Sequence, residues 1–343
     1  MKKNLLKFAW LLLFVLPMGF TACDDEPEVE PADKTALVAK ITEAEGVLAD
    51  AVVGKLAGEY TQTVVDDLQA AIDAAVLINE DETATQTQVD ATVSNLQLAI
   101  EDFQASVNVE ISPEFLVAYW KLAGNGDDAS GNDHNGTLMV GPTDIFPDGG
   151  TEPQPATDRY GESEGALHFA HGSNVQVPFS DDLNPDEMTI SVWLYADSLW
   201  ASRTQYIMSL NIWNTWKFEL PNHGKPFVTR KLSDDVYLNF DSNPVVLEPQ
   251  TWYQVITTID SEKCHFYIDG VHAVEWDIPS TASPATPDPS VDLVIGTFLP
   301  NDVEWSLDTW FTSFHGTLDD IRIYSKALTA SEVEALYNME KTE

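Results

Sequence analysis

The feature that most constrains this chain is an abrupt change of pattern at Ile111-Ser112-Pro113. Beyond it, short β-prone runs follow one another between clusters of Gly, Pro, Asn and Asp. They include FLVAYWKL, GTLMV, ALHFA, NVQVP, MTISVWLYA, TQYIMSL, WKFEL, PFVTRKL, DVYLNF, TWYQVITTI, CHFYI, VHAVEWDI, DLVIGTF and LDDIRIY. No helical pattern intervenes to carry parallel crossovers, so residues 113–340 are expected to form an antiparallel two-sheet sandwich or barrel. Asp269-Gly270 between two of the runs is a tight-hairpin signal. The one helix expected here is terminal: Thr329 and Glu332 form a capping box ahead of Val333, Leu336 and Tyr337.

Residues 34–107 read differently. They hold no Trp and no Pro, and apolar residues recur at helical spacing in three stripes. The first is Leu37, Ile41, Ala44, Leu48 and Val52; the second is Tyr60, Val64, Leu68, Ile72 and Ala75. The third is Val89, Val93, Leu96, Ile100 and Phe103, capped by Thr87 with Asp90. Gly54 and Gly58 separate the first pair, and Asn79-Glu80-Asp81 the second. Each stripe must bury against the others, which predicts an antiparallel three-helix bundle. It is similar to the small helical modules of bacterial surface proteins, and with no His or Cys it reads as a spacer.

Ahead of the bundle, residues 1–22 combine Lys2, Lys3 and Lys7 with the apolar run FAWLLLFVLPMGF, the pattern of a secretory signal. Thirteen apolar residues are too few for a membrane-spanning helix, which needs about twenty. The sequence FTAC resembles the lipobox of bacterial lipoproteins, which implies lipidation at Cys23. The acidic, Pro-containing tether of residues 23–33 (CDDEPEVEPAD) resembles the surface-export signal of some outer-membrane lipoproteins. These resemblances imply a lipid-anchored protein exposed at the outer membrane, touching the membrane through its lipid alone. A net charge of −39 argues against nucleic acid or an anionic membrane surface as partner. The second cysteine, Cys264, sits in the apolar run CHFYI and is expected to be buried and inert.

Several segments carry a family resemblance: LVAYWKLAGNGDDASGNDHNGTL, GALHFAHGSNVQVP, MTISVWLYAD, TWYQVITTIDSEKCHFYIDG and FHGTLDDIRIYSKALTASEVEALY. In order and spacing they resemble the concanavalin A-like, laminin G-type domains of bacterial surface proteins and glycan-processing enzymes. The resemblance spans about Phe115 to Asn338 and implies a jelly-roll sandwich. It implies function loosely, because the fold hosts lectins, hydrolases and protein-binding modules. The reading that follows is a surface lipoprotein that captures polysaccharide or oligosaccharide, beside other surface glycan-uptake proteins. An adhesin-like protein binder and a laminarinase-like glycoside hydrolase are the alternatives.

A hydrolase of this fold implies carboxylates along one strand face. The nearest match, Glu275-Trp276-Asp277-Ile278, lacks the closing Glu and meets Pro279. Asp302, Glu304 and Asp308 share one parity but fall in a loop-like stretch. Catalysis is therefore not the favoured reading. Aromatics are better candidates for glycan binding, because an indole matches the apolar face of a pyranose. Alternation in MTISVWLYAD places Ile190, Val192 and Leu194 on one face and Ser191, Trp193 and Tyr195 on the other. Trp200, Trp213, Trp216, Trp305 and Trp310 flank polar breaks, and two or three of them are expected to face solvent. His223, Lys225, Arg230 and Lys231 form a local basic cluster suited to an anionic sugar.

Asp319 shares parity with Ile321 and Ile323, so it should point inward and need a partner. The resemblance implies a structural Ca²⁺ there, held against GNGDDASGNDHNG, where Asp128 and Asn132 are the candidate ligands. Hydrogen bonds from backbone amides to Asp319 are the alternative.

Overall fold

The computed structural model describes residues 31–146, 148–201, 203–221, 223–303 and 311–341. Cys23 and the leader lie outside the described residues, as do Glu304, Trp305, Asp308 and Trp310.

Three helices come first: α1 (Thr35–Ala49), α2 (Gln62–Glu80) and α3 (Gln86–Ala105). Leu37, Ile41 and Ala44, then Leu68, Ile72 and Ala75, then Val89, Leu96, Ile100 and Phe103 bury into one apolar cluster. Tyr60 stacks on Phe103 with ring centroids 4.2 Å apart. Val52 is exposed, because α1 ends before reaching it. The capping box of α3 is Thr85 with Gln88, two residues earlier than expected. The N3 side chain must reach back to the N-cap amide, which the longer Gln88 does. Among the described residues no helix is long and apolar enough to cross a membrane.

The remaining chain is a sandwich. Its early strands are β1 (Leu116–Trp120), β2 (Thr137–Met139), β3 (Gln154–Ala156), β4 (Ala166–Phe169), β5 (Asn174–Val177) and β6 (Met188–Ala196). The middle ones are β7 (Thr204–Leu210), β8 (Trp216–Leu220), β9 (Phe227–Lys231), β10 (Tyr237–Asp241) and β11 (Trp252–Ile259). Then come β12 (Lys263–Ile268), β13 (Val271–Asp277), β14 (Leu293–Ile295), β15 (Phe311–Ser313), β16 (Gly316–Tyr324) and helix α4 (Ala330–Glu340). The first sheet runs β13-β12-β11-β6-β16-β4-β3, with β1 also on β16. The second runs β10-β9-β8-β7-β14-β5-β2. Pairing is antiparallel in both, apart from β15, which lies parallel to β7.

Period-two alternation fills the space between the sheets. Ile190, Val192 and Leu194 of β6 meet Trp216, Phe218 and Leu220 of β8, with Cys264 and Phe266 of β12 in the same cluster. Burial pushes the Cys264 thiol up to about 12. A thiol reagent should therefore leave Cys264 unlabelled in native protein and modify it on unfolding, read as one added equivalent by mass spectrometry.

Helix α4 closes the outer face of the first sheet. Leu328, Val333 and Leu336 pack on Ile256, Tyr267 and Tyr324, and the predicted Thr329–Glu332 capping box is present. Asp269 and Gly270 have φ of 52° and 74°, the two left-handed residues that a type I′ turn requires. A Cβ on Gly270 would come within 2.8 Å of Tyr337, so this turn also seats α4.

Candidate functional site

β-Bulges decide which side chains reach the outer faces of these sheets. On β16, Asp319 stands opposite Trp193 and Arg322 opposite Ser191, so β16 carries one residue more than β6. Asp320 absorbs it with a φ of 44°. The expected parity of Asp319 with Ile321 is thereby broken. Leu318, Ile321 and Ile323 enter the core, while Asp319 and Arg322 lie on the outer face beneath α4.

There Asp319 meets Arg159, not a set of backbone amides. The Arg159 guanidinium binds Asp319, binds Asp320 at 2.6 Å and donates to the Glu340 backbone carbonyl at 3.0 Å. Arg322 pairs with the Glu340 carboxylate, which also accepts from Trp193 Nε1 at 2.8 Å and Gln254 Nε2 at 2.9 Å. Tyr119 donates to Asp320. Three acids thus face two guanidinium groups in a buried cluster. Burial, with the Asp320 charge beside it, pushes the Asp319 carboxyl up to about 7.

The sign of the pH dependence follows. A carboxyl whose pKa rises from 3.8 to about 7 on folding stabilises fully below its unfolded value, and that contribution is lost as pH climbs through 7. The slope is at most about 1.4 kcal/mol per pH unit. The melting temperature of the sandwich should fall between about pH 5 and pH 8. In Asp319→Asn the slope should flatten.

The residues expected to hold Ca²⁺ do not fit a shared ion. Asp128 spends its oxygens on its own loop, accepting from the backbone amides of Tyr119, Ser130 and His134 and from the Ser130 hydroxyl. Asn132 donates its amide to the Leu116 and Val117 carbonyls. Asp319 is held by Arg159. The polar loop is folded by its own hydrogen bonds. Adding Ca²⁺ to chelator-treated protein should therefore leave its melting temperature unchanged.

The tryptophans divide equally sharply. Trp193 is buried beneath α4, bonded to Glu340 and stacked on Tyr337 at 5.9 Å. Trp216, expected at a rim, is fully buried in the core and donates to the Leu183 carbonyl. Neither can meet a sugar. The short loop NIWNT ahead of Trp216 ends before it, so Trp216 obeys the inward parity of β8. Trp200 is half-buried, edge-on to His315 at 5.6 Å. Trp213 is 42 % exposed.

Trp213 owes its position to a strained turn. Asn211 and Ile212 have φ of 53° and 40°, the latter costly for a β-branched residue. Ser209 Oγ accepts from the Ile212 amide at 2.9 Å, and Asn214 N–H bonds the Asn211 carbonyl at 2.8 Å. This holds the indole over the outer face of the second sheet. Lys217 Nζ lies 3.6 Å from the Trp213 ring centroid, and Tyr237, 41 % exposed, meets the indole edge-on at 6.3 Å.

Beneath the aromatic pair the sheet face is polar and largely buried. Register sets Ser209 opposite Lys217 and Tyr206 opposite Glu219. Lys217 reaches both Glu219 oxygens at 2.8 and 2.9 Å, and the Tyr206 hydroxyl bonds the same carboxylate. Burial raises the Glu219 carboxyl and lowers the Lys217 ammonium, and each is held by the other. Thr229 donates to the exposed Asn239 at 2.9 Å. The geometry offers an exposed aromatic platform with hydroxyl, amide and charged groups at its base. The shared face of Lys217 and Glu219 was visible in WKFEL as alternation; their closure by Trp213 and Tyr237 was not.

The expected basic cluster is not one patch. Arg230 is buried and donates to the Pro185 and Asp186 carbonyls, while Lys225 pairs with Asp241 and Lys231 with Asp235. Nor does the incomplete carboxylate motif form a catalytic pair: Glu275 and Asp277 both bind Lys263 on an exposed edge strand. Asp302 lies in an exposed turn.

Residues 169–334 match a laminin G-type family model, described as the concanavalin A-like lectin/glucanases superfamily. The sandwich is therefore a concanavalin A-like jelly roll. The opening segment from Leu116 to Leu138 lies outside the matched stretch. No curated protein is detectably similar in sequence. Among solved structures, the fourth domain of an extracellular arabinanase from Geobacillus stearothermophilus, solved with arabinotriose, is similar. It has 19 % identity and a TM-score of 0.49, over 65 % of this chain and 98 % of that domain. The binding domain of Paraclostridial Mosquitocidal Protein 1 is 16 % identical with a TM-score of 0.45, over 66 % of this chain and 52 % of that one. The receptor-binding domain of botulinum neurotoxin C/D mosaic is 15 % identical with a TM-score of 0.47, over 67 % and 52 %. The chain spans about half the length of these two toxin domains.

Proposed function

We propose that this chain binds carbohydrate through the outer face of its second sheet, and that lipid on Cys23 holds it at the cell surface beside glycan-uptake proteins. The observation that carries the binding reading is the exposed Trp213–Tyr237 pair above the polar floor of Lys217, Glu219, Thr229 and Asn239. An indole stacks on the C–H face of a sugar ring, and the exposed Asn239 amide beside it takes a sugar hydroxyl, while the buried Lys217, Glu219 and Thr229 support the platform from beneath. At a net charge of −39 the protein repels polyanions at long range, so affinity must come from these short-range contacts and favours a neutral glycan. The anchoring reading rests on FTAC and the acidic tether.

A glycan array with the purified chain tests the binding reading. A panel that stays empty while surface proteins are captured favours the adhesin-like alternative. Release of reducing sugar from a bound polysaccharide favours the hydrolase. For anchoring, Cys23→Ala should leave the protein in the soluble fraction. Intact cells should expose the unaltered protein to added protease; protection until lysis would contradict surface display.

A further inference from the structure

The hairpin β12–β13, at the edge of the first sheet, brings together three side chains that neither the fold nor the sugar reading uses. On β12, Cys264 and Phe266 face the core, so His265 and Tyr267 face outward. Across the hairpin His265 stands opposite Glu275, but Tyr267 stands opposite His272, because Ala273 is one residue too many on β13. Residues 272 and 275 would occupy opposite faces of a regular strand. The bulge at Ala273 turns His272 onto the face of Glu275.

His265 Nδ1 and His272 Nε2 lie 3.2 Å apart, and His265 Nδ1 is 3.8 Å from Glu275 Oε2. One donor atom from each residue falls within 4.8 Å of the others. Lys263 takes the other Glu275 oxygen at 2.9 Å, which leaves Oε2 directed at the imidazoles. Tyr267 packs edge-on against His272 at 5.2 Å and fixes the ring from below.

We propose that His265, His272 and Glu275 form a site for a borderline divalent transition ion such as Zn²⁺. Two imidazoles and one carboxylate are donors such ions prefer, and three protein ligands leave a further position for water or an incoming ligand. Ca²⁺ and Mg²⁺ are unsuited, since they require six or more oxygens or a near-octahedral shell. A bound ion would tie β12 to the edge strand β13 and replace a lone contact between two ring nitrogens.

The test is calorimetric titration of the purified full chain with Zn²⁺, repeated with Ca²⁺ as control. One equivalent of Zn²⁺ should bind with micromolar or tighter affinity, and Ca²⁺ should not compete. His272 is exposed, so His272→Ala should fold as the parent, checked by an unchanged melting curve without metal. Its Zn²⁺ affinity should fall at least tenfold, and that of Glu275→Gln by a similar factor. Absence of Zn²⁺ binding, or parental affinity in His272→Ala, would overturn the site. The second result would move any binding to other histidines, such as the pair His171 and His315.

Discussion

Replacing Arg159 with Met will destabilise the sandwich by about 3–5 kcal/mol, the range for breaking a buried ion pair from one side. The Arg159 side chain is almost wholly enclosed, and its guanidinium serves Asp319, Asp320 and the last turn of α4 together. Without it, the two buried carboxylates keep, among the described residues, Arg322 at 4.0 Å from Asp320 and the hydroxyl of Tyr119. Met fills much of the volume, so the loss reports charge and hydrogen bonding more than cavity formation. Arg159→Lys should fall between the two, because an ammonium keeps the charge but lacks the planar fork that spans two acids.

Denaturant titration followed by tryptophan fluorescence measures this cleanly. Every Trp after Trp10 lies at or beyond Trp120, so the signal reads the sandwich and not the helical bundle. Acid should partly rescue Arg159→Met, since protonation relieves the stranded carboxyls. A stability loss under about 1 kcal/mol, or one that does not shrink from pH 8 to pH 5, would mean that the network is a surface ornament.

Much of this architecture was legible in the residues. The stripes through Leu37, Leu68 and Leu96 gave the bundle, because 3.6-residue periodicity is dictated by burial of one face. The alternation Ile190-Val192-Leu194 gave the core of β6 for the same reason at period two. Asp269-Gly270 and Thr329-Glu332 were readable because their chemistry is local. What failed was parity across bulges. Counting from Ile321 sets Asp319 inward, and the one extra residue at Asp320 reverses it. The bulge at Ala273 likewise sets which face His272 takes. A bulge leaves no mark in a single sequence beyond the residue count, which alternation cannot register without its partner strand.

The tryptophans taught a related lesson. Trp213 and Trp216 are three residues apart and both border a polar break, yet one is exposed and the other fully buried. The difference is the left-handed turn at Asn211-Ile212, which ends before β8 resumes its inward parity at Trp216. Likewise Trp193 faces outward as expected, but α4 folds back over it and Glu340 takes its indole N–H. Long-range cover of this kind depends on residues more than a hundred positions away.

Trp213 is the sugar platform proposed above. Its most direct test is equilibrium binding of the purified chain to the best glycan from the array, with parent and Trp213→Ala compared at low and moderate salt. Truncating a desolvated stacking Trp costs about 2 kcal/mol or more, and about 1.4 kcal/mol is already a tenfold change in affinity. Trp213→Ala should melt with the parent, because its ring is 42 % exposed and lies outside the core cluster. Affinity should fall more than tenfold in Trp213→Ala, less in Tyr237→Ala and not at all in Trp200→Ala, and the parent should bind nearly equally at both salt concentrations. Parental binding by Trp213→Ala, or an affinity that falls steeply with salt, would contradict it.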